Sequence, residues 1–318
     1  MSESKKNSPS VTFLEVTEEY AGQRIDNFLL RHLKGAPRSY IYRVLRKGEV
    51  RVNKGRIKAH YKLNAGDSVR IPPVRLDQSE SGPVKVSNSL QARLRHAIVY
   101  EDERMLVLNK PSGLAVHGGS GISAGVIEIL RQCRPEDKHL ELVHRLDRDT
   151  SGCLLISKRR SALRTLHELI RDNRVDKRYL ALLSGSWRKG LQVVDKPLKS
   201  NNIQGGERVV RVDIEGKPSL TKFTRIQRYP QATLVEVELI TGRTHQIRVH
   251  SAWLGSPVLG DQKYGDSEAN KLMKNKGLRR LFLHAHQLTL RWPGEKRDLI
   301  IKAPLPDDLG LVLENIKK

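Results

Sequence analysis

The chain has 318 residues, and its 58 lysines and arginines against 35 aspartates and glutamates give a formal net charge of +23. This length is sufficient for two domains, and so large a positive excess indicates a polyanionic partner, either nucleic acid or an anionic membrane surface. No apolar stretch reaches the roughly 18 residues of a membrane span, and residues 1–10 lack the apolar segment of a signal peptide. We therefore expect a cytoplasmic protein that binds RNA or DNA and does not bind a membrane.

Two helices and a small sheet are predicted in the N-terminal part of the chain, after a polar tail at residues 1–19 that leads into a short strand. Apolar residues at helical spacing predict a first helix that ends near Gly35 and a second that stops at Gly48. Short strands are predicted around residues 50–52 and 69–71, with turn residues after the first and before the second.

Basic side chains gather on the second predicted helix and the turn that follows it. They are Arg38, Arg43, Arg46, Lys47, Arg51, Lys54 and Arg56. A charged helix face is most often only solvated, but Glu49 is the single acid that interrupts this run, and this favours a phosphate-binding surface. The unit over residues 20–75 resembles the S4 RNA-binding domain, in which two helices and a small sheet bind structured RNA.

A polar stretch with Gly and Pro at residues 76–92 predicts a linker. Over residues 93–318 the pattern changes to longer strands and helices. Residues 98–100 and 105–108 predict paired strands, and Ser161 is predicted to cap a helix whose apolar stripe continues to Ile170. Because strands and helices mix without a strict βαβ rhythm, we expect the α+β class.

The sequence lacks the motifs that hold a metal or a nucleotide cofactor. Cys133 and Cys153 form no CxxC pair, which argues against a zinc ribbon or a redox centre. His167 begins a pattern like that of zinc proteases, but Arg171 occupies the second ligand position. We therefore expect no metal and no small-molecule cofactor.

Four segments contain the candidate catalytic and binding residues: LNKPSGLAVHGGSG (108–121), HRLDRDTSG (144–152), DKRYLALLSG (176–185) and ITGRTHQIRVH (240–250). Two close carboxylates repel each other, so Asp147 and Asp149 are not expected to share one ionised role. The residues alone leave two readings of Asp147, a catalytic acid or a structural ion pair. Arg243, at the start of a predicted helix, marks a site for a phosphate or for a protein carboxylate.

These segments, followed by GSPVLGDQKYG (255–265) and RLFLHA (280–285), resemble in order the RluA family of pseudouridine synthases. With the S4-like unit, the resemblance covers nearly the whole chain from about residue 20 onward. It implies a catalytic domain with a mixed, mainly antiparallel sheet, and isomerisation of uridine to pseudouridine in RNA. The sequences of these motifs are most similar to those of the family branch that modifies 23S, large-subunit ribosomal RNA. Modification of transfer RNA, or a non-catalytic role in ribosome assembly, is the alternative.

The resemblance also implies roles for individual residues. Asp147 is the expected nucleophile on a flipped-out uridine, whether it attacks C1′ or C6 or acts through a glycal, and Arg243 is expected to pair with its carboxylate. Tyr179 is expected to stack on the target base, and Arg145 to fill the space that the flipped nucleotide leaves. Asp149 is expected to serve the local turn or a neighbouring arginine, and the protein is expected to be a monomer.

Overall fold

A computed structural model describes residues 10–33, 36–73, 86–118, 124–187, 190–202 and 208–317. The chain divides into two compact units, Met1–Val84 and Lys85–Lys318. Within the described residues, no helix is both long enough and apolar enough to cross a membrane.

The N-terminal unit contains two helices and four short strands in its described part. They are β1 (Thr12–Glu15), α1 (Ile25–His32), α2 (Arg38–Lys47), β2 (Arg51–Val52), β3 (Gly55–Arg56) and β4 (Ser68–Ile71). The strands pair antiparallel in the order β1-β4-β2-β3. Phe28 and Leu29 of α1, Ile41 of α2 and Val69 of β4 belong to one buried core. The second helix ends as predicted, since Gly48 is left-handed with φ of 71°.

The second unit contains the remaining elements. Its helices are α3 (Asn88–His96), α4 (Val126–Cys133), α5 (Arg160–Arg171), α6 (Gln246–Trp253), α7 (Ser267–Asn275) and α8 (Asp307–Asn315). Its strands are β5 (Ile98–Glu101), β6 (Met105–Lys110), β7 (Glu141–Leu142), β8 (Ser151–Ser157), β9 (Val175–Ser184), β10 (Leu191–Asp195), β11 (Leu198–Asn202), β12 (Arg208–Val212), β13 (Leu220–Arg228), β14 (Ala232–Leu239), β15 (Leu283–Leu290) and β16 (Leu299–Lys302).

Ten of the described strands form one mixed sheet. Its main path is β10-β13-β14-β9-β15-β8-β6-β5, while β16 pairs with β15 and β7 with β8. The pairing of β15 with β8 is parallel, and the other pairs are antiparallel. Every residue of β8 is buried, as expected for a strand covered on both faces. The predicted α+β class and mainly antiparallel sheet are thus confirmed.

Two predicted element boundaries are wrong. Residues 88–92 of the predicted linker belong to α3, which begins there because the Ser87 hydroxyl accepts the Leu90 N–H (3.3 Å). Helix α5 begins one residue earlier than the predicted cap at Ser161. Ser161 therefore lies inside the helix, where its carbonyl accepts the Thr165 hydroxyl (3.2 Å).

The parallel pair β8–β15 requires glycine at position 152. Gly152 has φ of +108°, and a Cβ there would lie 2.2 Å from the Ala285 carbonyl oxygen. Since that contact is with backbone, Gly152→Ala is expected to lower the free energy of unfolding by at least about 2 kcal/mol in urea denaturation. The control is Gly294→Ala, where φ is +86° and no atom lies within 4 Å, so about 1 kcal/mol is expected. Equal losses would contradict the steric explanation.

Candidate active site

The loop between β7 and β8, which contains both aspartates, is fixed through its backbone carbonyls. Lys110 Nζ and the Gly113 N–H each donate to the Arg148 carbonyl at 2.9 Å. The Ser112 hydroxyl donates to the Asp149 carbonyl at 2.7 Å. The segment that follows β6 therefore sets the course of the loop.

Lys110 acts on this loop from a fully buried position, with 0% of the residue exposed. Its ammonium also donates to the carbonyls of Pro111 (3.0 Å) and Leu114 (2.9 Å). Burial lowers the pKa of Lys110 to about 7, although the negative charges of Asp149 and Asp147 oppose this shift. These contacts give Lys110 a structural role in holding the loop.

Asp147 is held by Arg248, a residue of α6. Arg248 Nη1 donates to Asp147 Oδ2 at 3.3 Å, while Nε and Nη2 donate to the two oxygens of Asp261 at 2.7 and 2.9 Å. Burial lowers the pKa of Arg248, but its hydrogen bonds and its attraction to Asp261 and Asp147 outweigh this and keep that pKa above its usual range. Arg248 is therefore charged and is oriented by a bidentate pair.

The predicted pairing of Arg243 with Asp147 is wrong. The Arg243 side chain is exposed, and its Nε donates to the Pro218 carbonyl at 3.1 Å. Helix α6 begins at Gln246 because His245 adopts a left-handed backbone conformation with φ of 55°. Arg243 therefore lies in the turn before the helix, and Arg248 is the arginine that the helix presents to the carboxylate.

His245 is the second side chain beside Asp147, with its Nε2 3.8 Å from Asp147 Oδ2. Its Nδ1 lies 2.8 Å from the Tyr264 hydroxyl, which accepts the Val210 N–H at 3.0 Å. The Tyr264 hydroxyl thus links the His245 ring to β12. Burial lowers the pKa of His245, and the charge of Asp147 opposes that shift.

These groups open onto a cavity of about 300 Å³, a size that suits a small ligand or a single base. Its lining includes the predicted residues Arg145, Asp147, Tyr179 and Arg243, together with Arg248, which sequence reasoning missed. Tyr179 is buried on β9, and burial together with the nearby Asp147 raises the pKa of its hydroxyl. Arg145 is exposed at the cavity wall. The structure thus brings all four predicted site residues to one cavity.

Asp149 differs from Asp147 in its surroundings. Its side chain is 46% exposed and pairs with Arg148, whose Nε lies 3.2 Å from Asp149 Oδ1. It is not among the residues that line the cavity.

The predicted RNA-binding residues of the N-terminal unit are all exposed: Arg38, Arg43, Arg46, Lys47, Arg51, Lys54 and Arg56. Among them, Arg43 lies over the Tyr40 ring at 4.9 Å, and Lys47 pairs with Glu49 at 3.9 Å. Their exposure leaves these cations accessible to phosphates.

The corrected ion pair predicts unequal effects of removing the two arginines. Arg248→Gln leaves the carboxylate of Asp261, fully buried, without its charged partner, so the free energy of unfolding should fall by about 3 kcal/mol or more. Arg243→Gln removes an exposed side chain, and a change within about 0.5 kcal/mol is expected. Urea denaturation followed by circular dichroism measures both. A larger loss for Arg243→Gln would contradict the assignment.

Comparison with known proteins identifies the family of the chain. Residues 104–253 match the family model "RNA pseudouridylate synthase", and residues 23–69 match "S4 domain". The chain is 54% identical over 315 residues to "Ribosomal large subunit pseudouridine synthase C" of Escherichia coli (strain K12), which covers 98% of this chain and 99% of that protein. The protein of the same name from Pasteurella multocida is 53% identical over 309 residues, 97% of this chain and 95% of its own length.

One solved structure is similar in fold to this chain. "Human RNA Pseudouridylate Synthase Domain Containing 4" aligns with a TM-score of 0.60 and 30% identity, over 72% of this chain and 96% of that one. The chain therefore belongs to the RNA pseudouridylate synthase family and carries an S4 domain.

Proposed function

We propose that this protein converts specific uridines of 23S, large-subunit ribosomal RNA to pseudouridine, with Asp147 as the nucleophile. The observation that carries the proposal is the carboxylate of Asp147, which Arg248 holds beside a cavity also lined by Tyr179 and Arg145. The names of the bacterial relatives support the choice of large-subunit ribosomal RNA as the substrate. The enzyme would act as a monomer in the cytoplasm.

The reaction is an isomerisation that rearranges bonds within one nucleotide. The C–N glycosidic bond breaks, the base turns while it stays bound, and a C–C bond forms between C1′ and C5 as C5 loses its proton and N1 gains one. Atoms and electrons balance within the uridine, so the chemistry calls for a nucleophile and proton transfer. An ionised carboxylate can capture or stabilise the positive charge that develops at an anomeric carbon. Attack at C6, or passage through a glycal, would use the same Asp147 oxygen.

Arg248 would hold this carboxylate in one orientation. Asp261 fixes the guanidinium so that Nη1 faces Asp147 and donates to it. His245, with its Nε2 3.8 Å from the same oxygen, would limit the directions in which the carboxylate can turn. Asp147 would then attack from a position that is set before the RNA binds.

Tyr179 and Arg145 would handle the flipped base. The target carbons are inaccessible inside a base stack, so the nucleotide has to leave the stack before it reacts. The buried ring of Tyr179 in the cavity wall offers a stacking surface, and the exposed Arg145 is placed to occupy the gap in the RNA. The basic residues of the N-terminal unit would bind phosphates and position the substrate.

One experiment tests the substrate assignment. Pseudouridines are mapped in ribosomal and transfer RNA from a strain that lacks the gene, with and without a plasmid copy. We expect sites to disappear from 23S ribosomal RNA and to return with the plasmid. Loss of sites only from transfer RNA would favour the alternative substrate, and no loss at all would favour a non-catalytic assembly protein.

The two aspartates should respond differently to neutralisation. Asp147→Asn keeps the shape of the side chain but removes the nucleophilic charge, so release of tritium from uridine labelled at C5 should fall to background. Asp149→Asn alters an exposed pair with Arg148 and should retain substantial release. RNA binding by both variants is measured as a control and should match the parent. Active Asp147→Asn with inactive Asp149→Asn would overturn the assignment.

Replacing Tyr179 separates stacking from hydroxyl chemistry. Tyr179→Phe retains an aromatic face and should keep most single-turnover activity. Tyr179→Leu stays apolar but loses that face, so its rate should fall about 5- to 150-fold, the equivalent of about 1–3 kcal/mol of stacking. If both variants turned over as fast as the parent, a stacking role would be ruled out. If Tyr179→Phe were as slow as Tyr179→Leu, the hydroxyl would be the group that matters.

A further inference from the structure

One row of side chains crosses the whole sheet of the N-terminal unit. In the strand register, Arg51 of β2 lies opposite Arg56 of β3 on one side and opposite Arg70 of β4 on the other. Arg70 in turn lies opposite Phe13 of β1. The order across the sheet is therefore Phe13, Arg70, Arg51, Arg56, which we call the arginine row.

The arginine row lies on the sheet face opposite the core. Leu14, Val69 and Val52 form the adjacent set of partners in the same register. Val69 and Val52 are buried, and Leu14 packs against the same core. Because successive side chains of a strand point to opposite faces, the arginine row lies on the sheet face that does not pack on this core.

Phe13 is unusual among the phenylalanines of the chain. Four phenylalanines are present, and Phe28, Phe223 and Phe282 are at most 1% exposed. Phe13 is 65% exposed. A single exposed ring is common on a protein surface, but this one continues a line of three cations.

Two of the three arginines donate to backbone carbonyls at or just after the end of α2. Arg51 Nε donates to the Gly48 carbonyl at 3.3 Å, and Arg70 Nη1 donates to the Glu49 carbonyl at 2.8 Å. Carbonyls at a helix C-terminus carry partial negative charge, which favours nearby cations. Glu49, the acid nearest in sequence, pairs with Lys47 instead (3.9 Å). The guanidinium groups thus keep N–H donors for a further ligand.

Three like charges directly opposite each other on paired strands destabilise a sheet, by about 0.2–1 kcal/mol for each pair. An anionic polymer would offset that repulsion, since adjacent strands present their charges about 4.8 Å apart along a line. Single-stranded nucleic acid fits this line and the exposed ring together, because its phosphates meet arginines while an unpaired base stacks on an aromatic face. A duplex conceals its base faces in the stack and fits only the charges.

We propose that the arginine row binds a single-stranded segment of RNA, with one base stacked on Phe13 and phosphates on Arg70, Arg51 and Arg56. The inference rests on the proposed function for the identity of the polymer. Phe13 and Arg70 lie outside residues 23–69, the part that matches the S4 domain, so the stacking end of the row is an addition to that match. The substrate would then carry an unpaired stretch in addition to the target uridine.

The test measures binding by the full-length protein to a 12-nucleotide unstructured RNA and to a blunt 12-base-pair RNA duplex. Phe13→Ala should weaken binding of the single strand about fivefold or more, with an unchanged dependence on salt. Arg70→Gln should weaken it and reduce the salt slope by about 0.7. Neither Phe13→Ala nor the control Leu311→Ala, which removes another exposed apolar side chain (64% exposed), should change duplex affinity by more than twofold.

A second readout reports the stack directly. Phe13→Trp places an indole at the end of the row. After the signal of the three native tryptophans is subtracted, its fluorescence should be quenched by the single strand and not by the duplex. The inference would be overturned if Phe13→Ala left the affinity for the single strand unchanged, or if it lowered the affinity for the duplex equally. It would also be overturned if the single strand did not quench the indole. A parent protein that binds neither RNA would instead contradict the proposed function.

Discussion

The candidate active site depends on one guanidinium group that two carboxylates share. Arg248 gives two N–H groups to Asp261, whose side chain is fully buried, and this leaves Nη1 facing Asp147. A buried ion pair is stable only when its remaining hydrogen bonds are complete. The backbone N–H groups of Lys263 and Tyr264 supply those bonds to Asp261. The negative charge on Asp147 is therefore located by residues from two other segments of the chain, Arg248 and residues 261–264.

Arginine has two distinct uses in this protein, and they explain how a chain of net charge +23 folds around buried acids. Inside the second unit, Arg248 is desolvated and fully paired, so it orients a carboxylate. On the N-terminal unit, Arg51 and Arg56 are exposed, and Arg51 is bound to a helix-end carbonyl. The first arrangement makes a precise site, and the second leaves positive charge accessible to a polyanion.

Features that depend on local sequence were predictable, and features that depend on distant contacts were not. The end of α2 at Gly48 and the paired strands β5 and β6 follow from turn chemistry and apolar patterning. The choice between Arg243 and Arg248 depends on where α6 begins, which the left-handed backbone of His245 decides. The same residue contacts a group distant in the chain, the hydroxyl of Tyr264. The resemblance alone therefore favoured the wrong arginine.

The buried ammonium of Lys110 has a consequence for which side chains position 110 can accept. Its three N–H bonds diverge tetrahedrally, and each has a backbone carbonyl to meet, those of Pro111, Leu114 and Arg148. A planar guanidinium has the same charge but cannot direct its donors to three points around one nitrogen. Charge conservation is therefore insufficient at this position, and the geometry of a tetrahedral nitrogen decides whether the loop between β7 and β8 keeps its shape.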